Sequence, residues 1–263
     1  MQSMIESTLT EKSYWDDVWH GVKLPAEIKR SDNNLLLNRE LDVFEKYLPK
    51  EALSILEIGG APGQYLAYFY KQFGYQIHCL DYSEAGCEKT LKNFEYLNIK
   101  GQVYHADLFS GELDLPKFDI VFSMGFIEHF TDLDLVVGKH LQYLKPGGTL
   151  ILGIPNFLGI NKLFLKSLAP GMLSKHNLST MDISQWKAFE AHYRLETIFK
   201  NYIGGFEPMT FLIKEKNSFW NSVLFLKARF LNKIFHQHFS VLRNFNSKYF
   251  SAYAIGIYRK PFG

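Results

Sequence analysis

The segment at residues 53–66, LSILEIGGAPGQYL, constrains the fold of this chain more than any other feature of its sequence. Its residues 54–58, SILEI, are typical of a short buried strand. Small residues then make a tight turn, namely Gly59, Gly60, Ala61 and Gly63. Pro62 and the residues after it suit the first turn of a helix. Because a strand, a glycine-rich turn and a helix build the nucleotide-sized pocket of an open α/β sheet, we expect a ligand at this turn.

Strands and helices alternate after this turn. Strands are predicted at residues 75–80, 101–105, 118–123 and 149–154. A helix capped by Thr131 or Asp132 is predicted to extend to Leu144, and residues 145–148, KPGG, to form a turn. This alternation predicts a parallel, doubly wound sheet with right-handed crossovers. Ligands of such sheets bind beyond the carboxyl ends of the strands, where this chain carries Asp81, Asp107, Met124 and Gly125.

Three acids at or near this edge are candidate ligand-binding residues. Asp81 lies about 20 residues after the glycine turn, which places it to bind ribose hydroxyls, while Ser83 is available to cap the next helix. Asp107 is placed to accept a hydrogen bond from an adenine amino group, and a role as a turn residue is the alternative. Glu57 lies inside the first strand, where a carboxylate without a partner is costly. It is predicted to bind the amides of the turn or an ammonium group of the ligand.

Five segments resemble the motifs of the class I S-adenosylmethionine-dependent methyltransferases, in the family's order. The first is the turn itself, because residues 57–63 follow the acid-x-Gly-x-x-x-Gly pattern, with Ala61 in place of the more usual middle glycine. The others are LDYS, ADL, FDIVFS and LKPGGTL, at residues 80–83, 106–108, 118–123 and 144–150. The resemblance covers about residues 53–156. A dinucleotide site would instead show Gly-x-Gly-x-x-Gly, and a phosphate-binding loop would end in Gly-Lys-Ser/Thr.

The resemblance implies a Rossmann-like, doubly wound seven-stranded sheet, mostly parallel with an antiparallel last strand. Residues 195–202 and 251–258 would supply the last two strands. It also implies S-adenosyl-L-methionine as the methyl donor and S-adenosyl-L-homocysteine as its product. The residues predicted to bind this cofactor are Glu57, Gly59, Gly60, Ala61, Gly63, Asp81, Tyr82, Asp107, Leu108, Met124 and Gly125.

Aromatic residues dominate the first predicted helix, which Thr10 would cap. These rings either pack onto the main domain or form a lid that places a ring near a cation of the ligand. Tyr14 and Trp19 are the lid residues predicted to contact the cofactor. A second helix, capped by Asn33 or Asn34, is expected to be scaffold.

Two histidines are candidates for the general base that a hydroxyl acceptor would need. His129 belongs to a Glu-His pair after the fourth strand, and such pairs are frequent there in small-molecule members of the resembled family. The alternatives for His129 are to order the pocket or to cap the next helix. His176, in the sequence KHN, is the rival candidate. No metal site is predicted.

The part of the chain after Asn156 is expected to select the acceptor. Ser184 is predicted to cap a helix there, and residues 155–177 and 202–206 resemble methyltransferases of bacterial glycan and small-metabolite pathways. This second resemblance favours O-methylation. Residues 210–250 form an aromatic and basic insertion, interpreted as a helical cap, a dimer interface or a membrane-surface segment, in that order of preference.

Composition limits the partners of this chain. A net charge of +2, and no target-base motif, argue against nucleic acid. No signal peptide or membrane-spanning stretch is recognised, although peripheral membrane contact is left open. Cys79 and Cys87 are expected to be reduced, which favours a cytoplasmic location. The aromatic content of 16% predicts an apolar ligand site, a partner surface or a membrane face.

Together these features predict one domain, with N-terminal helices and lid at residues 1–48, a cofactor-binding core at 49–156 and a substrate-side half at 157–263. The predicted activity is methyl transfer to a small-molecule acceptor, apolar or glycan-related, by a monomer or homodimer. The alternatives are a non-catalytic binding protein on the same fold and, less favoured by the glycine pattern, a nicotinamide-dependent oxidoreductase.

Overall fold

The computed structural model describes residues 8–31, 34–206 and 245–262, together with Ser222, Val223, Leu226, Lys227 and Phe230. Most of the insertion predicted at residues 210–250 lies outside the described residues, and so do the alternative cap Asn33 and the first seven residues. The three interpretations of the insertion therefore stay predictions.

The described chain alternates strands and helices through most of its length. The strands are β1 Ser54–Ile58, β2 Gln76–Asp81, β3 Gly101–His105, β4 Phe118–Met124, β5 Leu144–Pro155, β6 Glu196–Phe206 and β7 Ser251–Arg259. The helices are α1 Lys12–Gly21, α2 Leu35–Tyr47, α3 Gln64–Phe73, α4 Glu84–Tyr96, α5 Leu133–Gln142, α6 Ile160–Leu168, α7 Pro170–Ser174 and α8 Lys187–His192. Two 3-10 helices, Ile127–His129 and Leu178–Met181, flank the candidate site described below.

All seven strands form one sheet in the order β3-β2-β1-β4-β5-β7-β6. β7 is antiparallel to both of its neighbours, β5 and β6, whereas the other pairings are parallel. The predicted fold class is confirmed, including the two last strands and the antiparallel one. β2 and β3 lie on one side of β1, and β4 and the later strands lie on the other. The strand order therefore reverses between β1 and β4, which are neighbours. Ligands of open α/β sheets bind beyond the carboxyl ends of the strands at this point.

Aromatic side chains fill the core between α2, α3 and the sheet. The ring centroid of Phe69 lies 5.2 Å from those of Phe44 and Phe122, and both contacts are edge-to-face. Phe73 and Tyr75 extend this cluster at 5.8 and 6.1 Å from Phe69. Phe44, Phe69 and Phe122 are fully buried. Much of the aromatic excess therefore stabilises the core behind the glycine turn, a use that the three predicted explanations did not include.

Two predicted helix caps are wrong, because the side chains have other partners. α1 begins after Glu11 without a side-chain cap, and Thr10 Oγ1 instead accepts the indole N–H of Trp15 at 3.1 Å. Ser184 does not cap α8, since its amide and hydroxyl both donate to Asp182 and the helix starts only at Lys187. Caps are confirmed at Asn34, Ser83 and Asp132.

Three predicted boundaries also change. α3 begins at Gln64, so Pro62 lies in the turn before the helix. α5 ends at Gln142 and does not reach Leu144, which is already the first residue of β5. β5 begins at Leu144, but residues 145–148 have no paired residues in β4 or β7. The register passes from the Phe118–Leu144 pair directly to the Ile120–Thr149 pair, and Gly147 has φ +72°, so the segment predicted as a turn forms a bulge within the bounds of β5.

Both cysteines are buried free thiols, in agreement with the predicted absence of a disulfide. Burial raises the pKa of Cys79 and Cys87, which suppresses the reactive thiolate. In the part of the chain that the structure describes, no helix combines the length and apolar character needed to cross a bilayer.

Candidate active site

The glycine turn after β1 is tightly packed. Gly59 has φ +67°, and a Cβ atom at this position would lie 2.5 Å from the ring of Phe126. A Cβ atom at Gly60 would lie 2.7 Å from Cγ of Glu57. The backbone N–H of Gly59 donates to the carbonyl of Leu80, at 2.8 Å, which ties the turn to β2. Small residues are therefore required at both positions, as predicted, although their contact with a cofactor stays a prediction.

Asp81 connects this turn to the start of α4. Its carboxylate accepts hydrogen bonds from the backbone N–H groups of Ala61, at 3.3 Å, and Ser83, at 2.9 Å. Burial raises the pKa of Asp81, and these two donors limit the rise. A carboxylate has about four acceptor positions, so Asp81 keeps acceptor capacity for a ligand hydroxyl beyond these two bonds. The structure places Asp81 at the turn, and ribose binding remains a prediction.

Glu57 is buried near the end of β1, and one of its carboxylate oxygens has no hydrogen-bond partner among the described residues. No hydrogen-bond donor among the described residues reaches its Oε2 atom. Burial, and then the neighbouring charge of Asp81, raise the pKa of Glu57 well above its ordinary value. The predicted bond to the turn amides is thus absent from Oε2. The alternative partner, an ammonium group of the ligand, stays a prediction.

Helix α1 lies over the turn and the start of α4. The hydroxyl of Ser83 donates to Asp16 at 2.5 Å. A Cβ atom at Gly86 would lie 2.8 Å from the indole of Trp19 and 2.9 Å from Cβ of Ala61, so all three residues meet at one point. The indole Nε1 of Trp19 is buried and has no partner among the described residues. The predicted lid residue Trp19 is therefore adjacent to the predicted cofactor turn.

The other lid residue, Tyr14, holds a cation of the chain itself. The ammonium group of Lys175 lies 3.8 Å from the centroid of the Tyr14 ring. This contact joins α1 to the loop that carries His176. The predicted contact of Tyr14 with the cofactor is not part of this arrangement and stays a prediction.

The predicted adenine-side residues differ in burial. Asp107 is exposed, and its Oδ1 atom accepts the backbone N–H of Phe109 at 2.9 Å, which matches the alternative role as a turn residue. Leu108 is buried in the core, whereas Tyr82 is half-buried at the edge of the sheet. Their adenine contacts stay predictions.

The end of β4 forms the other wall of the site. The backbone N–H of Gly125 donates to Gly153 of β5 at 2.8 Å, and Gly125 has φ +73°. A Cβ atom at Gly125 would lie 3.6 Å from Glu128 Oε1 and 3.9 Å from the hydroxyl of Tyr253. Met124 is directed at β5, because its sulfur would lie 2.4 Å from a Cβ atom at Gly153.

A buried histidine of α5 holds this end of β4. His140 Nδ1 is 2.8 Å from the carbonyl of Val136, which fixes Nδ1 as the donor, and Nε2 accepts the hydroxyl of Ser123 at 3.0 Å. Burial lowers the pKa of His140 to about 4. The ring is therefore neutral over the physiological range.

We expect His140 to make the protein less stable in mild acid. The unfolded ring takes up a proton below its ordinary pKa of 6.5, whereas the folded ring does so only near about 4. The contribution of His140 to the free energy of unfolding is complete above pH 6.5. It is lost as the pH falls towards 4, and the loss is up to about 3 kcal/mol. Urea titrations between about pH 7 and pH 5 should show a smaller loss of unfolding free energy in His140→Gln than in wild type. Equal losses in the two proteins would contradict this role.

The predicted bases His129 and His176 meet beside Glu128. Their ring centroids are 4.5 Å apart, and the ring of Trp15 packs edge-on against His129 at 5.0 Å. All three residues are buried: Glu128 is 1% exposed, His129 5% and His176 8%. Burial raises the pKa of Glu128 to about 8, and burial followed by the charge of His176 lowers that of His129 to about 3. The histidines predicted from separate segments thus form one cluster.

Two groups that the sequence reasoning missed, the buried carboxylate of Glu40 and the hydroxyl of Tyr253, lie near the acids of the site. The hydroxyl of Tyr65 donates to Glu40 at 2.8 Å, and burial, then the charges of Glu40, Glu128 and Glu57, raise the pKa of Tyr253. Glu40 could have been found from its spacing, because it lies four residues from both Leu36 and Phe44 on the apolar face of α2. Tyr253 carried no comparable signal.

Comparisons with known proteins agree with this architecture. Residues 55–148 match the family model described as a methyltransferase domain. A ubiquinone biosynthesis O-methyltransferase from Chelativorans sp. (strain BNC1) is 30% identical over 112 residues, which are 41% of this chain and 42% of that protein. The chain therefore aligns with less than half the length of this relative.

Solved structures extend the likeness to nearly the whole chain. A SAM-dependent methyltransferase from Thiobacillus denitrificans, in complex with S-adenosyl-L-homocysteine, has a TM-score of 0.54 and 14% identity, and the match covers 95% of this chain and 98% of that one. Phosphoethanolamine N-methyltransferase 2 from Haemonchus contortus, in complex with S-adenosyl-L-methionine, has a TM-score of 0.56 and 18% identity over 85% of this chain and 52% of that one. At these identities the likeness concerns the fold.

Proposed function

We propose that this chain is a class I S-adenosylmethionine-dependent methyltransferase, which binds S-adenosyl-L-methionine and transfers its methyl group to a small-molecule acceptor. Oxygen is the favoured acceptor atom, because the curated relative is named as an O-methyltransferase and the histidine cluster lies beside the proposed donor site. The acceptor's identity, the cytoplasmic location and the oligomeric state stay predictions.

The observation that carries this proposal is the set of buried polar atoms without partners. Within the described residues these atoms are Trp19 Nε1, Glu57 Oε2 and Glu128 Oε2, and all three lie around the carboxyl ends of β1, β2 and β4. Each such atom costs about 1–3 kcal/mol unless a ligand satisfies it, and native proteins contain few of them. Their grouping at this edge supports a polar ligand that spans the site.

The charge of the site supports a cationic ligand. Four carboxylates are buried there or nearby, and the described residues include no buried lysine or arginine. They are Glu40, Glu57, Asp81 and Glu128. A ligand with a sulfonium and an ammonium group would stabilise the charged form of these buried acids, whereas a pyrophosphate would oppose it. The residues present therefore fit S-adenosyl-L-methionine better than a nicotinamide dinucleotide.

We assign three tasks to the residues of the donor site. Asp81 would accept the ribose hydroxyls, Glu57 would accept the ammonium group, and Trp19 would donate its indole N–H from the lid. When bound, the donor supplies a sulfonium methyl group: an electron pair of the acceptor forms the new bond to carbon while the C–S bond breaks with its pair kept by sulfur. The chain's contribution is to hold the two reactants in line and to exclude water.

The acceptor side requires a place for the hydroxyl proton. The Glu128, His129 and His176 cluster lies next to Gly125 at the end of β4, on the side of the site away from Asp81. Direct removal of the hydroxyl proton requires one imidazole nitrogen that accepts it, and His129 or His176 is the predicted base. Removal of the proton with the help of a bound cation requires all three side chains of the cluster to hold that cation. The residues after Asn156, which supply His176 and Tyr253, would shape the acceptor pocket.

We expect S-adenosyl-L-homocysteine to raise the thermal unfolding temperature of this protein, and NADH to leave it unchanged, since only bound ligands stabilise the folded state.

In calorimetric titrations, Trp19→Phe should bind S-adenosyl-L-homocysteine about 5- to 10-fold more weakly, because it loses one buried hydrogen bond and keeps the ring. Trp15→Phe is the matched control on the same helix, since its indole N–H is already bonded to Thr10.

Stabilisation by NADH alone would overturn the proposed donor. Binding of S-adenosyl-L-homocysteine without methyl transfer to any compound of a broad acceptor panel would favour the non-catalytic alternative. The transfer assay would follow a labelled methyl group from the donor and identify the product by mass spectrometry, which also reveals the acceptor atom.

A further inference from the structure

We infer that Glu128, His129 and His176 form a site for one divalent transition-metal ion of the zinc class. The three side chains offer ligand atoms that all lie within 4.8 Å of one another, and each residue is more than nine-tenths buried. Two imidazoles and one carboxylate are the donor set of many catalytic zinc sites. The metal site itself does not depend on the proposed methyl transfer.

Hydrogen bonds to the backbone fix the ring nitrogens that would bind the ion. His129 Nδ1 is 2.9 Å from the carbonyl of Lys175, and His176 Nδ1 is 2.5 Å from that of Met172. A carbonyl only accepts, so both Nδ1 atoms carry the proton and both Nε2 atoms keep a lone pair. Metal-binding histidines are held by other groups in this same way.

Glu128 supplies the third ligand. Its Oε2 atom is buried and has no hydrogen-bond partner among the described residues. A buried carboxylate oxygen in this state requires a cation or a donor. Since His129 and His176 both direct their only ring proton at carbonyl groups, neither neutral ring donates to it, and a shared cation satisfies all three side chains together.

Backbone contacts hold the two ligand-bearing segments together. The N–H of Asn177 donates to the carbonyl of Glu128 at 2.6 Å, and the Asn177 side chain donates to Phe130 at 3.0 Å. These bonds flank His176 on one side, and the bond between His129 and Lys175 flanks it on the other. The cluster is therefore largely preorganised, although His176 lies 47 and 48 residues after the other two members in the sequence.

Distance and donor type select the metal class. Zinc bonds to nitrogen and oxygen are about 2.1 Å long, so four-coordinate ligand atoms lie about 3.4 Å apart. The cluster needs to contract by roughly 1 Å or slightly more, which side-chain rotation can supply. Imidazole ligands favour zinc and its first-row neighbours, whereas Mg²⁺ prefers oxygen ligands and retains its waters.

Three protein ligands leave at least one coordination position open, as in catalytic zinc sites. Gly125 borders Glu128 on the side of the glycine turn, because a Cβ atom there would lie 3.6 Å from Glu128 Oε1. If the proposed methyl transfer holds, the open position would take an oxygen of the acceptor. The ion would then lower the pKa of a coordinated hydroxyl, whose proton leaves to water. The acceptor class would be phenols or alcohols able to bind a metal.

The test is metal binding by the untagged full chain after removal of metals with a chelating resin. Calorimetric titration with ZnCl2 should give one Zn²⁺ per chain, and CoCl2 should produce a visible absorption band typical of low-coordinate Co²⁺. His176→Ala and Glu128→Gln should each weaken Zn²⁺ binding by more than about 100-fold, since loss of an outer-shell partner alone costs 10- to 100-fold. MgCl2 should bind far more weakly than ZnCl2.

His192→Ala is the matched control, because His192 pairs with Asp134 at 2.9 Å on the surface and offers the same ligand types. It should leave Zn²⁺ binding unchanged. Thermal unfolding of each variant checks that it is folded, and Glu128→Gln keeps the shape of the side chain it replaces. No stoichiometric Zn²⁺ binding by wild type, equal binding by His176→Ala and Glu128→Gln, or equal affinity for Mg²⁺ would overturn the metal site. S-adenosyl-L-homocysteine binding is measured separately, so failure of either proposal is seen without the other.

Discussion

Phe69→Ala is expected to lower the free energy of unfolding by about 3–5 kcal/mol, the usual cost of truncating a buried phenylalanine. Phe69 is fully buried, and its ring meets Phe44 of α2 and Phe122 of β4 edge-to-face, with both centroids at 5.2 Å. The change removes apolar burial and these ring contacts at once, and it leaves a cavity that neighbouring rings cannot fill. Urea titration followed by circular dichroism measures the effect.

Tyr96→Ala provides the matched aromatic control. Tyr96 is the last residue of α4 and is 68% exposed, so its loss should change the free energy of unfolding by less than about 0.5 kcal/mol. A destabilisation of Phe69→Ala as small as that of Tyr96→Ala would show that the aromatic cluster does not support the core. The aromatic content would then need a surface explanation of the kind that the composition first suggested.

Asp81→Ala is expected to weaken binding of S-adenosyl-L-homocysteine by about 5- to 150-fold, which corresponds to about 1–3 kcal/mol for a lost buried hydrogen-bond partner. The carboxylate is proposed to accept the ribose hydroxyls, and it already orders the turn through the N–H groups of Ala61 and Ser83. Both effects act in the same direction. Isothermal titration calorimetry of the purified variant measures the dissociation constant.

Asp81→Asn separates the effect on the turn from the effect on ribose binding, and Asp114→Ala is the control. Asp81→Asn keeps one acceptor oxygen for the turn but loses the charge and half of the acceptor capacity, so its affinity should fall between that of wild type and that of Asp81→Ala. Asp114→Ala removes an exposed acid from the loop after β3 and should bind as wild type does. An unchanged dissociation constant in Asp81→Ala would refute the ribose assignment.

Helix α1 contacts both halves of the site, which gives the predicted lid a structural basis. Asp16 and Trp19 meet the start of α4 next to the glycine turn, whereas Tyr14 and Trp15 meet Lys175 and His129 on the acceptor side. Rings on one helix thus reach the two sides from positions four or five residues apart. Closure of such a helix over bound ligands would exclude water from both.

The sheet was predictable because its signals are local. A largely apolar strand of five residues, a set of small turn residues and a following amphipathic helix lie within residues 54–73, and they produce β1, the turn and α3. Repeats of this unit predict a parallel sheet, since strands buried on both faces need helical crossovers. The positions of Asp81 and Met124 at the carboxyl edge follow directly from the strand ends.

Helix caps and boundaries were less predictable, because a polar side chain has several partners within reach. Thr10 and Ser184 have the residue types of caps, but the indole of Trp15 and the carboxylate of Asp182 compete for them. Residues 145–148 have the composition of a turn and form a bulge, but the pairing of Leu144 with Phe118 places the start of β5 before this bulge. At such positions the intrinsic conformational preference of a residue contributes less free energy than a tertiary contact does.

The sequence by itself determined the fold class, the glycine turn and the positions of Asp81 and Asp107, at the end of β2 and just after β3. These features depend on the spacing of neighbouring residues. Only the tertiary structure decided that Glu57 and Glu128 are buried with unsatisfied oxygens, and that His176 joins Glu128 and His129. Burial and the meeting of distant segments depend on how elements pack, and no local pattern encodes them. The residues of the proposed donor site could therefore be named from the sequence, whereas the cluster of the proposed metal site required the folded chain.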